Sequence, residues 1–217
     1  MKQLFQSFIS LILFCTLSHS VNAGGLPDGT QALTEKLAVL ETFQGSFVQQ
    51  VTEVNGRLIQ QATGNLYASN AGDNQGLLYW HTRAPMEQLV VGDGQRVWLY
   101  DPDLLQVVVQ QYPQDLSSTP ALLLIGEVSH LADQYQVARN PDPDRPEEYI
   151  LTPRNTENVY TSITLRFEGN LPIAMILQDS LQQSTSITFT DVRINQSLDQ
   201  SLFHFQVPEG VDLIRND

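Results

Sequence analysis

The sequence predicts a mainly β protein in which one amphipathic helix precedes a meandering antiparallel sheet. Apolar, β-prone segments follow one another along most of the chain, and turn sequences such as Asn55-Gly56 and Asp93-Gly94 separate them. This spacing leaves no room for the long crossovers that parallel strands require. Residues 24–217 contain no repeat, low-complexity tract or linker, so we expect them to form a single domain.

The first 23 residues have the composition of a signal peptide. Lys2 is their only charged residue, Leu4 to Leu17 is rich in apolar side chains, and Val21-Asn22-Ala23 resembles a signal peptidase site. Cys15, the single cysteine of the chain, also lies in this segment. We therefore expect an exported, soluble mature chain that begins near Gly24 and has neither a disulfide nor a thiol nucleophile.

The predicted mature chain is strongly acidic, with 10 basic and 24 acidic residues and a net charge of about −14. Such a charge repels nucleic acid phosphates and anionic membrane surfaces. Binding to nucleic acid is therefore excluded, and contact with lipid would have to use apolar groups or a protein partner. The acidity also helps to keep an exported protein in solution.

The helix is predicted from Thr30 to Gln44, with Asp28 or Thr30 as its N-cap. Apolar residues recur there at helical spacing and form one stripe: Leu33, Leu37, Leu40 and Phe43. The predicted strands follow, in chain order, at residues 47–53, 58–67, 77–82, 88–91, 97–100, 107–109, 135–138, 148–152, 162–167, 173–178, 184–194 and 203–207.

The meander is interrupted between residues 118 and 126. Ser118 or Thr119 could cap a short helix that has Pro120 in its first turn. The following residues, Leu122 to Ile125, form a dense apolar knot. We expect this short helix to pack against the sheet.

Two predicted strands are apolar on both faces. Neither Val97-Trp98-Leu99-Tyr100 nor Val107-Val108-Val109 alternates with polar residues, as the strands of a sheet with one solvated face should. Either a second layer covers the far face, or that face lines an apolar cavity. The residues alone are compatible with both a filled core and a ligand cavity.

The sequence lacks the residue patterns typical of catalysis and metal binding. His81, His130 and His204 lie far apart and form no i,i+4 pair, so we expect no metal site. There is no G-x-S-x-G elbow, phosphate-binding glycine loop or dinucleotide fingerprint. We therefore expect a binding protein that needs no cofactor and has no catalytic residues.

The order of six segments resembles the LolA family, the periplasmic carriers of outer-membrane lipoproteins. The resemblance covers nearly the whole mature chain, and it rests on FQGSFVQQV (43–51), GNLY (64–67), LLYWHTRAP (77–85), LVVGDGQRVWLYDPDLLQV (89–107), STPALLLIG (118–126) and FHFQVPEGVDLI (203–214). No single segment is diagnostic, whereas their order and spacing together are specific.

The resemblance implies a half-closed antiparallel β-barrel, a curved sheet whose apolar cavity is covered by an α-helical lid. It implies a periplasmic monomer that takes acylated lipoproteins from an inner-membrane ABC transporter of the LolCDE type and delivers them to an outer-membrane receptor of the LolB type. One face of the two-faced strands would then line the acyl-chain cavity. We expect the lipid-binding residues to be Leu33, Leu37, Leu40, Phe43, Phe47, Leu78, Trp80, Leu89, Val91, Trp98, Tyr100, Leu122, Ile125 and Met175.

One feature departs from the family pattern. The family usually has an arginine shortly before the tryptophan matched by Trp80, and this arginine is thought to hold the lid closed. Here residues 69–80 read SNAGDNQGLLYW, so that Asn70 or Asn74 takes its place, and Arg83 is the nearest candidate substitute. We expect the lid to open more readily than in relatives that have the arginine.

Two other functions remain open at this point. The first is a related periplasmic lipid-binding or sensory module that engages a regulatory partner. The second is a periplasmic hydrolase that uses Asp101, Asp103 or Glu148 as acid and base.

Overall fold

The fold is described by a computed structural model for residues 29–70, 76–112, 120–124, 131–145, 147–155 and 158–216. These residues form two α-helices, α1 (Gly29–Ala38) and α2 (Leu131–Gln134), and two 3-10 helices, Pro120–Leu124 and Gln200–Phe203. The strands are β1 (Thr42–Thr52), β2 (Leu58–Asn70), β3 (Gly76–Ala84), β4 (Gln88–Gly92), β5 (Arg96–Asp101), β6 (Gln106–Gln111), β7 (Tyr135–Arg139), β8 (Glu148–Pro153), β9 (Tyr160–Glu168), β10 (Leu171–Asp179), β11 (Ser184–Ile194) and β12 (Asp212–Asn216). Within this part of the chain, no helix has the length and apolar character needed to cross a membrane.

The strands form one curved sheet in the order β12-β6-β5-β4-β3-β2-β1-β11-β10-β9-β8-β7. All neighbouring strands are antiparallel except β12 and β6, which are parallel. β1 pairs with β2 on one side and with β11 on the other, so it joins two antiparallel meanders, β2–β6 and β7–β11. The predicted mainly β fold with a meandering antiparallel sheet is confirmed, apart from the parallel edge strand.

Helix α1 is shorter than predicted, because it ends at Ala38 and not at Gln44. The amide of Leu40 donates to the carbonyl of Leu37 (3.0 Å), which closes the last turn. Phe43 is already in β1, where the backbone is bonded on both sides, to β2 and to β11. The chance helical spacing of Leu40 and Phe43 misled the prediction, since a strand with two neighbours satisfies more of its backbone than a helix end does. The N-cap candidate Asp28 lies outside the described residues.

The C-terminal region also differs from the prediction of a strand at residues 203–207. The side chain of Asp199 accepts from the amide of Ser201 (2.9 Å) and caps the 3-10 helix that ends at Phe203. The chain then crosses the outer face of the sheet and forms β12 on the free edge of β6. Phe203 and Phe205 are therefore used for packing against a sheet face, not for pairing at its edge.

The main hydrophobic core lies on the concave face of the sheet. Residues of α1, α2 and the first 3-10 helix pack there against residues from β1, β2, β3 and β7–β11. Leu33, Leu37, Leu123, Leu124 and Leu131 supply the helical side of this core, and all are buried. The expected helical cover is thus present, while Ile125 and the side chain of Leu122 lie outside what the structure describes.

The outer face of β3–β6 carries a second apolar layer. The ring of Phe205 packs on those of Trp98 (centroids 5.7 Å apart) and Tyr100 (5.9 Å). The second 3-10 helix contacts β3 and β4, and its Phe203 is 1% exposed. The strands around Trp98 and Tyr100 are apolar on both faces because the C-terminal segment covers the outer one.

Candidate functional site

A cavity of about 380 Å³ opens on the concave face at one end of the sheet. Its volume lies within the range of about 300–1,000 Å³ that is common for small-molecule sites. Strands β1–β5 form one wall and β9–β11 form the other, so the curvature of the sheet brings distant strands together around it. The lining residues are Gln49, Gln60, Ala62, Leu78, Trp80, Thr82, Pro85, Met86, Glu87, Gln88, Val90, Asp101, Ala121, Tyr160, Met175, Leu177, Thr185 and Ile187.

The floor of the cavity is apolar. Leu78, Trp80 and Val90 face Met175 and other apolar residues of β10 and β11 across it. The ring of Trp80 packs on that of Phe47, with centroids 4.5 Å apart. Since Phe47 belongs to the main core, Trp80 marks the boundary at which the filled core gives way to open space.

The roof over this floor comes from the first 3-10 helix. Ala121 lines the cavity and is also part of the main core. Leu123 and Leu124 of the same helix are buried in the main core on the concave face, with exposures of 2% and 0%. This short helix is therefore both a core element and a wall of the cavity.

The register of β3 and β4 determines which side chains reach the cavity. Trp80 pairs with Val90, and Leu78 pairs with Gly92, so these residues share the concave face. Their neighbours Tyr79 and His81 point to the outer face, because successive side chains of a strand alternate.

Of the residues that the sequence predicted to bind lipid, three line this cavity: Leu78, Trp80 and Met175. Five others are packed into the adjoining core: Leu33, Leu37, Leu40, Phe43 and Phe47. The remaining described ones lie on the outer face, contrary to the prediction: Leu89, Val91, Trp98 and Tyr100. Leu89 and Val91 flank Val90 and pair with Tyr100 and Trp98, so all four side chains point away from the cavity. In a continuous apolar run, the sequence does not indicate which alternate set of side chains faces inward.

The apolar pattern of the sequence does not predict the polar mouth of the cavity. Its uncharged members are Gln49, Gln60, Thr82, Gln88 and Thr185, and its charged members are Glu87 and Asp101. Counting alternate positions from Trp80 would have found Thr82. The sequence does not indicate that the glutamines line a cavity, because polar residues are common at strand ends.

The β3–β4 loop forms one side of the mouth. Pro85, Met86 and Glu87 line the cavity there, and the Ala84–Pro85 peptide bond is cis. The carboxylate of Glu87 lies 2.7 Å from Nε2 of His81. This contact holds the end of the loop against β3.

Exposed apolar side chains gather at the same end of the sheet. In an antiparallel meander every second turn lies at one end, which places the β1–β2, β3–β4, β5–β6, β8–β9 and β10–β11 connections together. Each connection carries at least one apolar residue that is more than half exposed: Val54, Met86, Leu104, Leu105, Val159 and Leu181. The cavity therefore opens among projecting apolar turn tips.

Two of the carboxylates considered for catalysis, Asp101 and Glu148, accept hydrogen bonds that have a structural role. Oδ1 of Asp101 accepts from the amide of Leu104 (3.0 Å) in the β5–β6 turn. Glu148 is buried and accepts from Nη2 of Arg166 (2.7 Å) and Nδ2 of Asn140 (2.6 Å). Burial raises the pKa of Glu148, but these hydrogen bonds outweigh it and hold the pKa below its usual value. Among the residues that the structure describes, no three acidic or histidine side chains gather as a metal site would require.

The two described candidates for replacing the family arginine, Arg83 and Asn70, are not among the residues that line the cavity. Arg83 is exposed and outside the cavity lining, and its charge acts on the phenol of Tyr79 on the outer face. The backbone amide of Asn70 donates to the carbonyl of Glu41 (2.8 Å), beside the start of β1. Asn74 lies outside the described residues.

Comparisons with known proteins agree with this architecture. The family described as "Outer membrane lipoprotein carrier protein LolA" matches residues 38–206. An outer-membrane lipoprotein carrier protein of Hahella chejuensis is 41% identical over 208 residues, which are 95% of this chain and 96% of that protein. Another from Alcanivorax borkumensis is 37% identical over 188 residues, or 87% of this chain and 88% of that protein.

Among solved structures, an uncharacterized conserved protein from Thermus thermophilus has a TM-score of 0.50 and 12% sequence identity. The match covers 86% of this chain and 97% of that protein, and it supports the fold alone. The family match and the sequence relatives are decisive: the chain belongs to the LolA family of outer-membrane lipoprotein carrier proteins.

Proposed function

We propose that this protein is a periplasmic carrier that holds the acyl chains of outer-membrane lipoproteins in the cavity between β1–β5 and β9–β11. The observation that carries the proposal is the apolar floor around Trp80 and Met175, which remains open beside a filled core. Acyl chains are the part of a lipoprotein that cannot be exposed to water. A protein that covers them needs an apolar recess of this kind and no catalytic group.

The free energies suit a carrier. Each methylene removed from water contributes about 0.8 kcal/mol, so a 16-carbon chain gains roughly 12 kcal/mol on entering an apolar site. Transfer from a membrane yields nearly nothing, because lipid is already apolar. Such a cavity prevents release into water and still allows transfer to another apolar site of slightly higher affinity.

The first 3-10 helix acts in this proposal as the movable part of the cover. A long acyl chain extends from the open end toward the core, and Ala121 stands at that boundary. Displacement of this helix away from β10 would lengthen the cavity without disturbing the sheet. Without a family arginine, this displacement requires less free energy than in relatives that retain it.

The apolar turn tips around the mouth are the proposed docking surface for transfer partners. Met86, at 64% exposure, lines the opening through which the cargo must pass, and Leu104, at 69% exposure, lies in the turn that follows the lining residue Asp101. The donor is an inner-membrane ABC transporter of the LolCDE type, and the acceptor is an outer-membrane receptor of the LolB type. Residues 1–23 direct export and are removed.

The test is binding of a synthetic lipopeptide that has a diacylglyceryl cysteine, measured by calorimetry with the purified mature chain. We expect binding of the lipopeptide and none of the same peptide without acyl groups. Mass spectrometry of the protein isolated from the periplasm should show acylated lipoprotein. Equal binding of both peptides, or free lipid together with a regulatory protein as the copurified material, would contradict the carrier function.

A further inference from the structure

The mouth of the cavity has an unusual composition for a lipid-binding site. Three glutamines and two threonines from five different strands surround it. Within the described ranges, the side-chain amides of Gln49, Gln60 and Gln88 make no hydrogen bond to another side chain. Each can donate two hydrogen bonds to a ligand.

The charged residues at the mouth are all acidic. Asp101 and Glu87 line it, and the described lining contains no lysine, arginine or histidine. Glu87 is paired with His81 on the outer face, whereas Asp101 has no basic partner in the part of the chain that the structure describes. An anionic group seated at the mouth would therefore meet at least one uncompensated carboxylate and, among the described lining residues, no basic side chain.

This composition distinguishes two kinds of diacyl lipid. The lipid part of an acylated cysteine offers ester and amide carbonyls and has no charge, so that the glutamine amides can donate to it. Every membrane phospholipid carries a phosphate at the corresponding position. Its negative charge would lie beside the carboxylate of Asp101, where two unit charges repel.

We propose that this mouth is a selectivity filter that admits the uncharged diacylglyceryl head of a lipoprotein and rejects the phosphate of phospholipids. The inference rests on the proposed carrier function and adds a reason for its specificity. Both membranes offer phospholipid in large excess, and the acyl chains alone cannot distinguish it from cargo. The discrimination must come from the head, and the residues that contact it are Gln49, Gln60, Gln88 and Asp101.

The test compares two soluble lipids that have the same acyl chains, dioctanoylglycerol and dioctanoyl phosphatidylglycerol, by calorimetry at low salt. We expect the wild-type protein to prefer the uncharged lipid. A double variant, Asp101→Asn with Glu87→Gln, should shift this preference about tenfold toward the phospholipid. The asparagine retains the oxygen that accepts from Leu104, so the turn is preserved.

A matched pair of single variants separates the local effect from net charge. Gln60 lines the mouth, while its neighbour Gln61 is exposed on the outer face opposite Gln50. Gln60→Lys should strengthen phospholipid binding about fivefold, and Gln61→Lys, with the same net charge, should leave it unchanged.

The outcomes are distinguishable. Equal wild-type affinity for the two lipids, or an equal response of the two lysine variants, would overturn the selectivity filter while leaving the carrier function standing. If the protein binds none of the three ligands, neither the two dioctanoyl lipids nor the diacylglyceryl lipopeptide, the carrier function and the filter are both overturned.

Discussion

Replacement of Trp80 by glutamate should abolish cargo binding while leaving the sheet folded. Trp80 is half-buried, with one side of its ring on Phe47 and the other toward the cavity. In the empty protein a carboxylate at this position can reach water through the open mouth. In the loaded protein it would be buried against an acyl chain.

The expected loss of folding stability in Trp80→Glu is smaller than the expected loss of cargo binding. Loss of the ring pair with Phe47 costs about 0.5–1.5 kcal/mol, and loss of apolar burial brings the decrease in unfolding free energy to roughly 1–3 kcal/mol. Burying an unpaired carboxylate against an acyl chain costs at least several kcal/mol. A penalty of about 3 kcal/mol already weakens binding by more than a hundredfold.

Trp98→Glu is the matched control, since it makes the same substitution on the opposite face of the same sheet. Trp98 packs on Phe205 and donates from Nε1 to Asp93 (3.3 Å), away from the cavity. Urea unfolding should show a loss of stability for both variants, and calorimetry with the lipopeptide should show lost binding for Trp80→Glu alone. Normal binding by a folded Trp80→Glu protein, or equal losses in both variants, would refute the assignment of the cavity.

Three further substitutions test other parts of the structure. Ala121→Phe should fill the inner end of the cavity, so that lipopeptide affinity measured by calorimetry falls more for 16-carbon than for 8-carbon chains; equal losses would contradict the position of the roof. Gly64→Ala should lower the unfolding free energy by about 1–3 kcal/mol in urea titration, because a Cβ there would lie 2.0 Å from the carbonyl oxygen of His81; unchanged stability would show that β2 and β3 do not approach so closely. Glu148→Gln should cost about 1–3 kcal/mol at neutral pH by weakening the pair with Arg166. Because the folded pKa of Glu148 is depressed, the wild-type protein loses this contribution as the pH falls below about 4.5, and the two unfolding curves should converge there; a constant difference would assign the stabilisation to another group.

The strands were predictable because apolar segments alternated with turn sequences, and the Asp93-Gly94 turn lies where expected between β4 and β5. The sequence did not indicate the pairing register of the strands. The choice between Val90 and its neighbours Leu89 and Val91 depends on pairing with β3, and a one-residue shift exchanges the two faces. The outer layer was also unpredictable, since Phe205 reaches Trp98 only through a long excursion of the chain.

The polar mouth was missed for a different physical reason. Apolar residues indicate where acyl chains can bind, whereas the proposed selectivity depends on polar side chains at strand ends. Gln60 and Gln61 are identical in sequence terms, and only the pairing of β2 with β1 separates the one that lines the cavity from the one on the outer face.

The parallel pairing of β12 with β6 has a consequence for the order in which the protein can fold. A chain is synthesised from its N-terminus, so β2–β6 can assemble as a local meander while the remaining half is still being made. The free edge of β6 must then wait for residues 212–216, the last strand in chain order, and β1 must wait for β11. An unpaired strand edge is a template for association with other chains. The edge of β6 therefore stays open to association with other chains until residues 212–216 pair with it, and a variant that lacks these residues would keep that edge exposed.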